Sequence, residues 1–429
     1  MNKYTKLLSV LLAVCMCVGL FAACGNQTAS GAEASASAEA SSAVEAEAAN
    51  DTIVIAADQG LEAKFSPFFG LSSADIAISD MTQAYVMTTD RVSNPVMTGI
   101  AGETRSYNGT DYTYYNGGDI VVTENDDGSV YYDVTMRDDI LFSDGQKADI
   151  DDLIFAIYVY MDPTYDGNST MFSLPIEGLE DYRSGMDTLY NLLVEAGEDN
   201  TDFSNWTEEQ QKEFWEKVMP EAGTAFAQSI VDYCIANGYN EPTDSVAACA
   251  ANWGFELADD ATALDFWNTI VEAYEGDYAT ASDVEAASGS LWSYMDPAYA
   301  VGISTGKSAD SISGIQRTGD YSLRIVATEI DATMIYQLAL PITPMHYYGD
   351  ESKYDYENNK FGFDKGDLST VKSKTTQPMG AGPYIFKDYS NGTVYMEANP
   401  NYYKGEPKIK YLNWLESSEA DKVTGLVSE

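Results

Sequence analysis

The stretch Val130–Pro163 reads VYYDVTMRDDILFSDGQKADIDDLIFAIYVYMDP and changes its structural period near the middle. Apolar and polar residues alternate over 130–136, and this two-residue period predicts a half-buried strand. Ser143-Asp144-Gly145 predicts a turn, because Asp bonds its own backbone and Gly accepts a positive φ. From Asp149 the spacing becomes helical, with carboxylates in the first turn and a stop at Asp162-Pro163. Strand, turn and helix in this order predict an α/β chain, and the residues alone indicate scaffold without chemistry.

This stretch also carries a resemblance. The run 136–163 resembles the signature of family 5 solute-binding proteins, the peptide, nickel and oligosaccharide receptors of ATP-binding-cassette (ABC) importers. One departure is visible, since Ala148 and Asp149 stand where a hydrophobic residue and Thr are commoner. Three later segments are similar to motifs of the same family: LPITPMHYYGD at 340–350, MGAGPYIFKDY at 379–389 and EANPNYYKG at 397–405.

The resemblance implies a fold and a domain plan. The fold is expected to be the periplasmic-binding-protein-like, type II bilobal fold of family 5, mainly its first lobe, which would occupy residues 51–415 with a subdomain at about 80–310. Residues 416–429 resemble the start of the second lobe, and family members continue for a further stretch. We therefore expect the chain to be C-terminally truncated, with the second lobe largely missing and apolar surface or a sheet edge exposed on the first.

The N-terminus predicts export. Lys3 and Lys6 precede an apolar run at 7–23 that is too short to span a membrane, and Leu20-Phe21-Ala22-Ala23-Cys24 resembles a bacterial lipobox. Residues 1–23 are expected to be a lipoprotein signal peptide and Cys24 the lipidated residue; the alternative is a plain secretory signal with an incidental Cys. Residues 24–50 contain almost only Ala, Ser, Glu and Gly after the Cys and predict a disordered tether.

Charge and cysteine usage bound the partners. The chain carries 68 acids against 23 bases, a formal charge of −45, which argues against nucleic acid or an anionic membrane surface as a partner. Past the tether only Cys234 and Cys249 remain. Small buried thiols are the default interpretation of both, although export permits a disulfide between them.

Residues 177–295 predict a helical insertion larger than the family segment. The expected helices cover 186–196, 208–218, 223–237, 243–253, 262–274 and 282–294, besides an earlier helix at 75–85. The insertion is either a docking surface for a partner or an elaboration of the lobe. We favour the elaboration, because its aromatic residues recur at helical spacing and are explained as core.

Candidate ligand contacts follow from the resemblance, which places an early Phe-rich element and the glycine turn beside the cleft between lobes. The predicted ligand-binding residues are Gln59, Phe65, Phe68, Gly380, Ala381, Gly382, Tyr384 and Trp414. Core packing is the alternative for the phenylalanines, and a tight structural turn is the alternative for the glycines.

Catalytic motifs are weak. His346 is the single histidine, GxSxG and HExxH are absent, and Ser369-Thr370-Val371-Lys372 lacks the companion motifs of an S-x-x-K enzyme. Gly302–Ser308 has one residue too few between its glycines for a phosphate-binding loop. Paired carboxylates of a glycosidase stay open, because 68 acids supply many pairs. We predict no enzyme activity, no cofactor and no metal site.

The sequence therefore predicts an extracytoplasmic receptor, lipid-anchored at the outer face of the cell membrane. It is expected to be a monomer that binds an oligopeptide or other small solute and delivers it to the permease of an ABC importer. A surface hydrolase acting on glycans or peptides is the alternative function.

Overall fold

The computed structural model describes residues 51–57 and 60–417. The predicted signal peptide, Cys24, the tether, Gln59 and residues 418–429 lie outside the described residues. The described part contains both helices and sheets, so the predicted α/β class is confirmed. None of its helices combines the length and the apolar character that a membrane span requires.

The strands of the described residues are mostly short. They are β1 (Thr52–Ala57), β2 (Thr88–Thr89), β3 (Pro95–Val96), β4 (Glu103–Tyr107), β5 (Thr110–Tyr114), β6 (Gly118–Glu124), β7 (Val130–Met136), β8 (Met186–Thr188), β9 (Gly302–Ser304), β10 (Ile315–Gly319), β11 (Ser322–Ala327), β12 (Tyr354–Asp355), β13 (Lys360–Phe361), β14 (Tyr384–Ser390), β15 (Thr393–Ala398) and β16 (Tyr411–Glu416).

The α-helices cluster in the middle of the chain. They are α1 (Ser73–Asp80), α2 (Ile150–Met161), α3 (Leu179–Arg183), α4 (Leu189–Ala196), α5 (Glu208–Glu213), α6 (Met219–Ala236), α7 (Val246–Trp253), α8 (Ala263–Ala273), α9 (Tyr278–Glu285), α10 (Met334–Gln337), α11 (Met345–Tyr348) and α12 (Ser369–Lys372). A π-helical turn, Phe214–Val218, joins α5 to α6.

The stretch Val130–Pro163 folds into the strand, turn and helix that its pattern predicts. Strand β7 lies inside a four-stranded sheet of order β10-β11-β7-β6, and its residues 130, 132, 134 and 136 are buried. On the other face of the sheet, the Arg324 guanidinium of β11 donates two hydrogen bonds to the Asp133 carboxylate, at 2.7 and 2.9 Å. Helix α2 begins after the Asp149 cap and ends before Asp162. It is buried on nearly all sides, with every residue from Asp152 to Met161 enclosed.

A second four-stranded sheet unites the two ends of the described chain. Its order is β1-β16-β15-β14, and β1 runs parallel to β16. One face covers a small core of Phe65, Ile78, Val394, Met396 and Leu412. Strand β1 lies at the edge of this sheet, where the side chains of residues 53 and 54 are 45% and 60% exposed.

The segment 177–295 is largely helical, as predicted, and α4 to α9 enclose a core of their own. Several helix boundaries differ from the prediction. The helix expected at 282–294 begins at Tyr278 and ends at Glu285, and only a 3-10 turn, Leu291–Tyr294, lies in the rest of that range. The helix expected at 223–237 begins at Met219, directly after the π-helical turn. Residues 186–188 are strand β8 rather than the start of a helix, because they pair with β9 far along the chain. The predicted helix at 75–85 ends at Asp80. Cys234 and Cys249 are both free and buried in this core.

Candidate functional site

The sequence motifs that lie far apart in the chain meet in one region. Ser143, in the turn before α2, donates its backbone N–H to Gly380 O at 2.9 Å. The side-chain amide of Asn401 lies 3.4 Å from Phe142 O in the same turn. Tyr348 hydroxyl bonds the backbone of Met379 on both sides, accepting from its N–H at 2.9 Å and donating to its carbonyl at 3.1 Å.

The glycine turn at 380–382 packs against the chain that follows α1. A Cβ on Gly382 would lie 2.3 Å from the carbonyl carbon of Thr82 and 2.4 Å from Gln83 N, closer than side-chain carbons approach backbone. A Cβ on Gly380 would meet Thr82 O at 2.4 Å. The contact is fixed by Gly382 N–H, which donates to Thr82 O at 2.8 Å. These glycines therefore allow two backbone segments to touch.

Three predicted ligand contacts are enclosed in the core. Phe65 is 0% exposed and packs edge-on against the Tyr389 ring, while Phe68 is 1% exposed and contacts the Phe155 ring. Ala381 is also 0% exposed. In this structure the three side chains present no surface to a solute, which favours the packing role that the sequence left open for the phenylalanines.

Two other predicted contacts are partly exposed. Tyr384 begins β14 and donates its hydroxyl to Ile409 O at 3.1 Å. Trp414 lies in β16, and its indole N–H is buried without a hydrogen-bond partner among the described residues. Their ligand role stays a prediction, and Gln59 and Cys24 lie outside the described residues.

The segment 80–85, which contacts the glycine turn through Thr82 and Gln83, also contributes Asp80 and Tyr85 to the wall of a cavity of about 300 Å³. Its walls come from four segments that the sequence did not connect. They are Ser66, Pro67, Gly70, Ile76, Asp80, Tyr85, Tyr160, Asn168, Ser169, Met171, Tyr336, Gln337, Ala339, Leu340 and Pro341.

Hydrogen bonds between these segments hold the cavity walls. Tyr160 of α2 donates its hydroxyl to Pro67 O at 2.8 Å, and Asn168 donates its side-chain amide to Gly70 O at 2.9 Å. Residues 84–86 pair with residues 340–342, which fixes Tyr85 beside Pro341. The walls are thus tied to α2, the most buried element of the core.

Asp80 and Tyr85 give the cavity its polarity. The Tyr85 hydroxyl donates to one carboxylate oxygen of Asp80. Burial raises the pKa of the Asp80 carboxyl, and the Tyr85 hydrogen bond opposes that shift. Burial and the nearby Asp80 charge raise the pKa of the Tyr85 hydroxyl well above its usual value. Tyr85 therefore acts as a hydrogen-bond donor at neutral pH.

Other features offer less. A shallower depression of about 420 Å³ lies at residues 256–269, but its residues are mainly on an exposed loop, and its Asp265 already caps α8. Among residues 51–57 and 60–417, no three His, Cys, Asp or Glu side chains cluster as a metal site would require. His346 bonds the Asp144 carboxylate at 2.8 Å, at the end of the turn before α2.

The sequence prediction missed the cavity, because its lining residues extend from Ser66 to Pro341, 275 positions apart in the chain. One signal was available. Asp80 is the last residue of α1, where the helix dipole disfavours a carboxylate. A residue that breaks a local rule of this kind is a candidate for function.

The comparisons with known proteins agree with the motifs. Residues 275–427 match the family described as bacterial extracellular solute-binding proteins, family 5 Middle. The predicted family resemblance is therefore confirmed over this segment. The stretch 130–163, which also resembles the family, lies outside the matched residues.

Relatives of this chain include a di/tripeptide-binding protein 2 of Pseudomonas aeruginosa, 30% identical over 104 residues, which are 24% of this chain and 18% of that protein. Two solved structures are similar over 88% of this chain and 42% of theirs. One is the oligopeptide-binding protein AppA of Bacillus subtilis with a nonapeptide, at 13% identity and a TM-score of 0.42. The other is NikZ of Campylobacter jejuni with Ni(L-His), at 11% identity and a TM-score of 0.40. The chain thus spans less than half the length of the proteins it matches.

Proposed function

We propose that this chain, a family 5 solute-binding protein over its matched segment, captures a peptide or a similar small solute and delivers it to an ABC import permease. The observation that carries the proposal is the family match at 275–427. That segment includes the glycine turn at 380–382 and the motifs at 340–350 and 397–405, and Leu340 and Pro341 of the first of these motifs line the cavity. The family is one of binding proteins rather than enzymes.

A peptide is the preferred solute for two reasons. The relative in Pseudomonas aeruginosa is named for di- and tripeptides. The described residues hold no cluster of metal ligands, so a bare nickel ion would lack a site in this part of the chain. A cavity of about 300 Å³ is at the small end of ligand pockets, the size for one side chain or one terminus of a peptide.

The remaining parts of the proposal concern the domain organisation of the receptor and its location at the membrane. Residues 51–415 would form one lobe of a receptor that closes by a hinge around its solute, with 177–295 as an elaboration of that lobe. Cys24 would carry lipid and anchor the receptor at the outer face of the membrane, with residues 24–50 as its tether. The receptor would act as a monomer.

Calorimetric titration with a library of di-, tri- and longer peptides tests the function, with mass spectrometry of the peptides afterwards. The proposal predicts saturable binding and unchanged peptides. Tyr336 rims the cavity with 49% of its side chain exposed, and Tyr336→Ala should weaken binding. Tyr239, 62% exposed in the helical segment, supplies the matched control, and Tyr239→Ala should bind like the parent chain. Steady release of cleaved peptide would instead establish the hydrolase.

A further inference from the structure

The cavity contains an acidic group without a cationic partner. Asp80 is the one charged side chain among its lining residues. Within the described part of the chain, its carboxylate bonds the Tyr85 hydroxyl and forms no ion pair with a lysine or arginine. The carboxylate therefore has one oxygen free to accept from a group that enters the cavity.

The position of Asp80 is costly for the fold. The carboxylate lies at the C-terminal end of α1, where the helix dipole repels negative charge and favours a cation. Burial adds a second cost, because removing a carboxylate from water disfavours its charged form. Asp80 is partly buried, and a charge that has lost part of its hydration is normally offset by a partner within the protein. The described residues supply no cation to Asp80, which indicates that its cationic partner belongs to a bound molecule.

The rest of the lining suits a cation. The hydroxyl protons of Tyr85 and Tyr160 are committed to Asp80 and to Pro67 O, so neither is available to an anion. The rings of Tyr85, Tyr160 and Tyr336 surround the cavity, and the faces of aromatic rings attract ammonium and guanidinium groups. The formal charge of −45 over the chain adds a general attraction for positive solutes.

We propose that this cavity receives a positively charged group of the captured solute, an ammonium or a guanidinium, and that Asp80 selects for that charge. The inference rests on the proposed receptor function and narrows its substrates to cationic peptides. In a peptide the charge has two sources, the amino terminus and a basic side chain, and both would present the same chemistry to Asp80.

The test compares peptides that differ only in charge. Ala-Arg-Ala and Ala-citrulline-Ala have the same shape, and acetylating each removes the amino-terminal charge. Two pairs are compared: the arginine peptide with the citrulline peptide, and each free peptide with its acetylated form. We expect the parent chain to bind the charged member of at least one pair about tenfold more tightly, a difference of about 1.4 kcal/mol in binding free energy. The pair that shows the difference identifies the source of the charge.

Variants then assign the preference. Asp80→Asn keeps the shape and an acceptor for Tyr85, and it should reduce the preference to within about twofold. Glu272→Gln removes the same charge from an exposed site on α8 and should retain the preference. Tyr85→Phe removes the hydroxyl but keeps the carboxylate, so it should also discriminate by charge.

The outcomes separate the two proposals. If the parent chain binds charged and neutral peptides equally, or if Asp80→Asn keeps the preference, the inference is wrong and the receptor function stands. If the parent chain binds none of the peptides, the receptor function fails and the inference fails with it.

Discussion

Replacing Gly382 by Ala should strongly destabilise the protein, because the new methyl group has no space. It would lie 2.3 and 2.4 Å from backbone atoms of Thr82 and Gln83, against a normal separation of about 3.5–4.0 Å. Backbone atoms cannot rotate away as a side chain can. Overpacking costs about 1–3 kcal/mol, and separating the segments would also weaken the Gly382 N–H bond to Thr82 O and the Tyr384 N–H bond to Met81 O, at about 1 kcal/mol each. We expect a total loss of about 3–5 kcal/mol.

Urea unfolding followed by far-ultraviolet circular dichroism measures this loss, with Gly306→Ala as the matched control. The Cβ of that control would have a single neighbour, Gly185 Cα at 3.6 Å, which is an ordinary contact. Its stability should stay within about 0.5 kcal/mol of the parent chain. Equal midpoints for Gly382→Ala and Gly306→Ala would refute the close contact and would restore a free glycine turn as a ligand surface.

Three further predictions concern buried side chains. Phe65→Ala should cost about 3–5 kcal/mol of unfolding free energy, because the ring is 0% exposed; a loss of peptide affinity at unchanged stability would contradict this. Burial raises the pKa of Asp152 to about 7, so the folded state holds a proton that the unfolded state releases above pH 4. Stability should fall from pH 4 to 7, by up to about 1.4 kcal/mol per pH unit, more in the parent chain than in Asp152→Asn; parallel pH profiles would refute it. Iodoacetamide should label Cys234 and Cys249 only after unfolding, and a disulfide-linked peptide pair would refute the free thiols.

The local structure was predictable where neighbouring residues determine it. Strand β7 and helix α2 begin and end where the alternation, the Asp149 cap and Asp162-Pro163 place them. The helix after Thr207 likewise starts at its capping box. Caps and periodicity act within a few residues, so one sequence carries enough information to locate them.

Long-range contacts set the limits of prediction. The spacing of residues 186–188 predicts a helix, but these residues form a strand because they pair with β9. The burial of α2 on nearly all sides results from its packing against α11, β10 and β13, which its spacing does not record.

The candidate site shows the same division. Sequence motifs led to the glycine turn, and the structure shows that its glycines serve a backbone contact with residues 82 and 83. The cavity lined by Asp80 and Tyr85 depends on the pairing of residues 84–86 with 340–342. Asp80 became a candidate only when this pairing placed it beside three tyrosines without a cation.

We propose above that the chain binds a small solute and leaves it intact. Native mass spectrometry of the chain, incubated with an equimolar peptide library and sampled over hours, tests it most directly. We expect a complex of one chain with one peptide, and the released peptide should keep its original mass at every time. Fragments that accumulate with time, or an absence of any complex across the library, would contradict it.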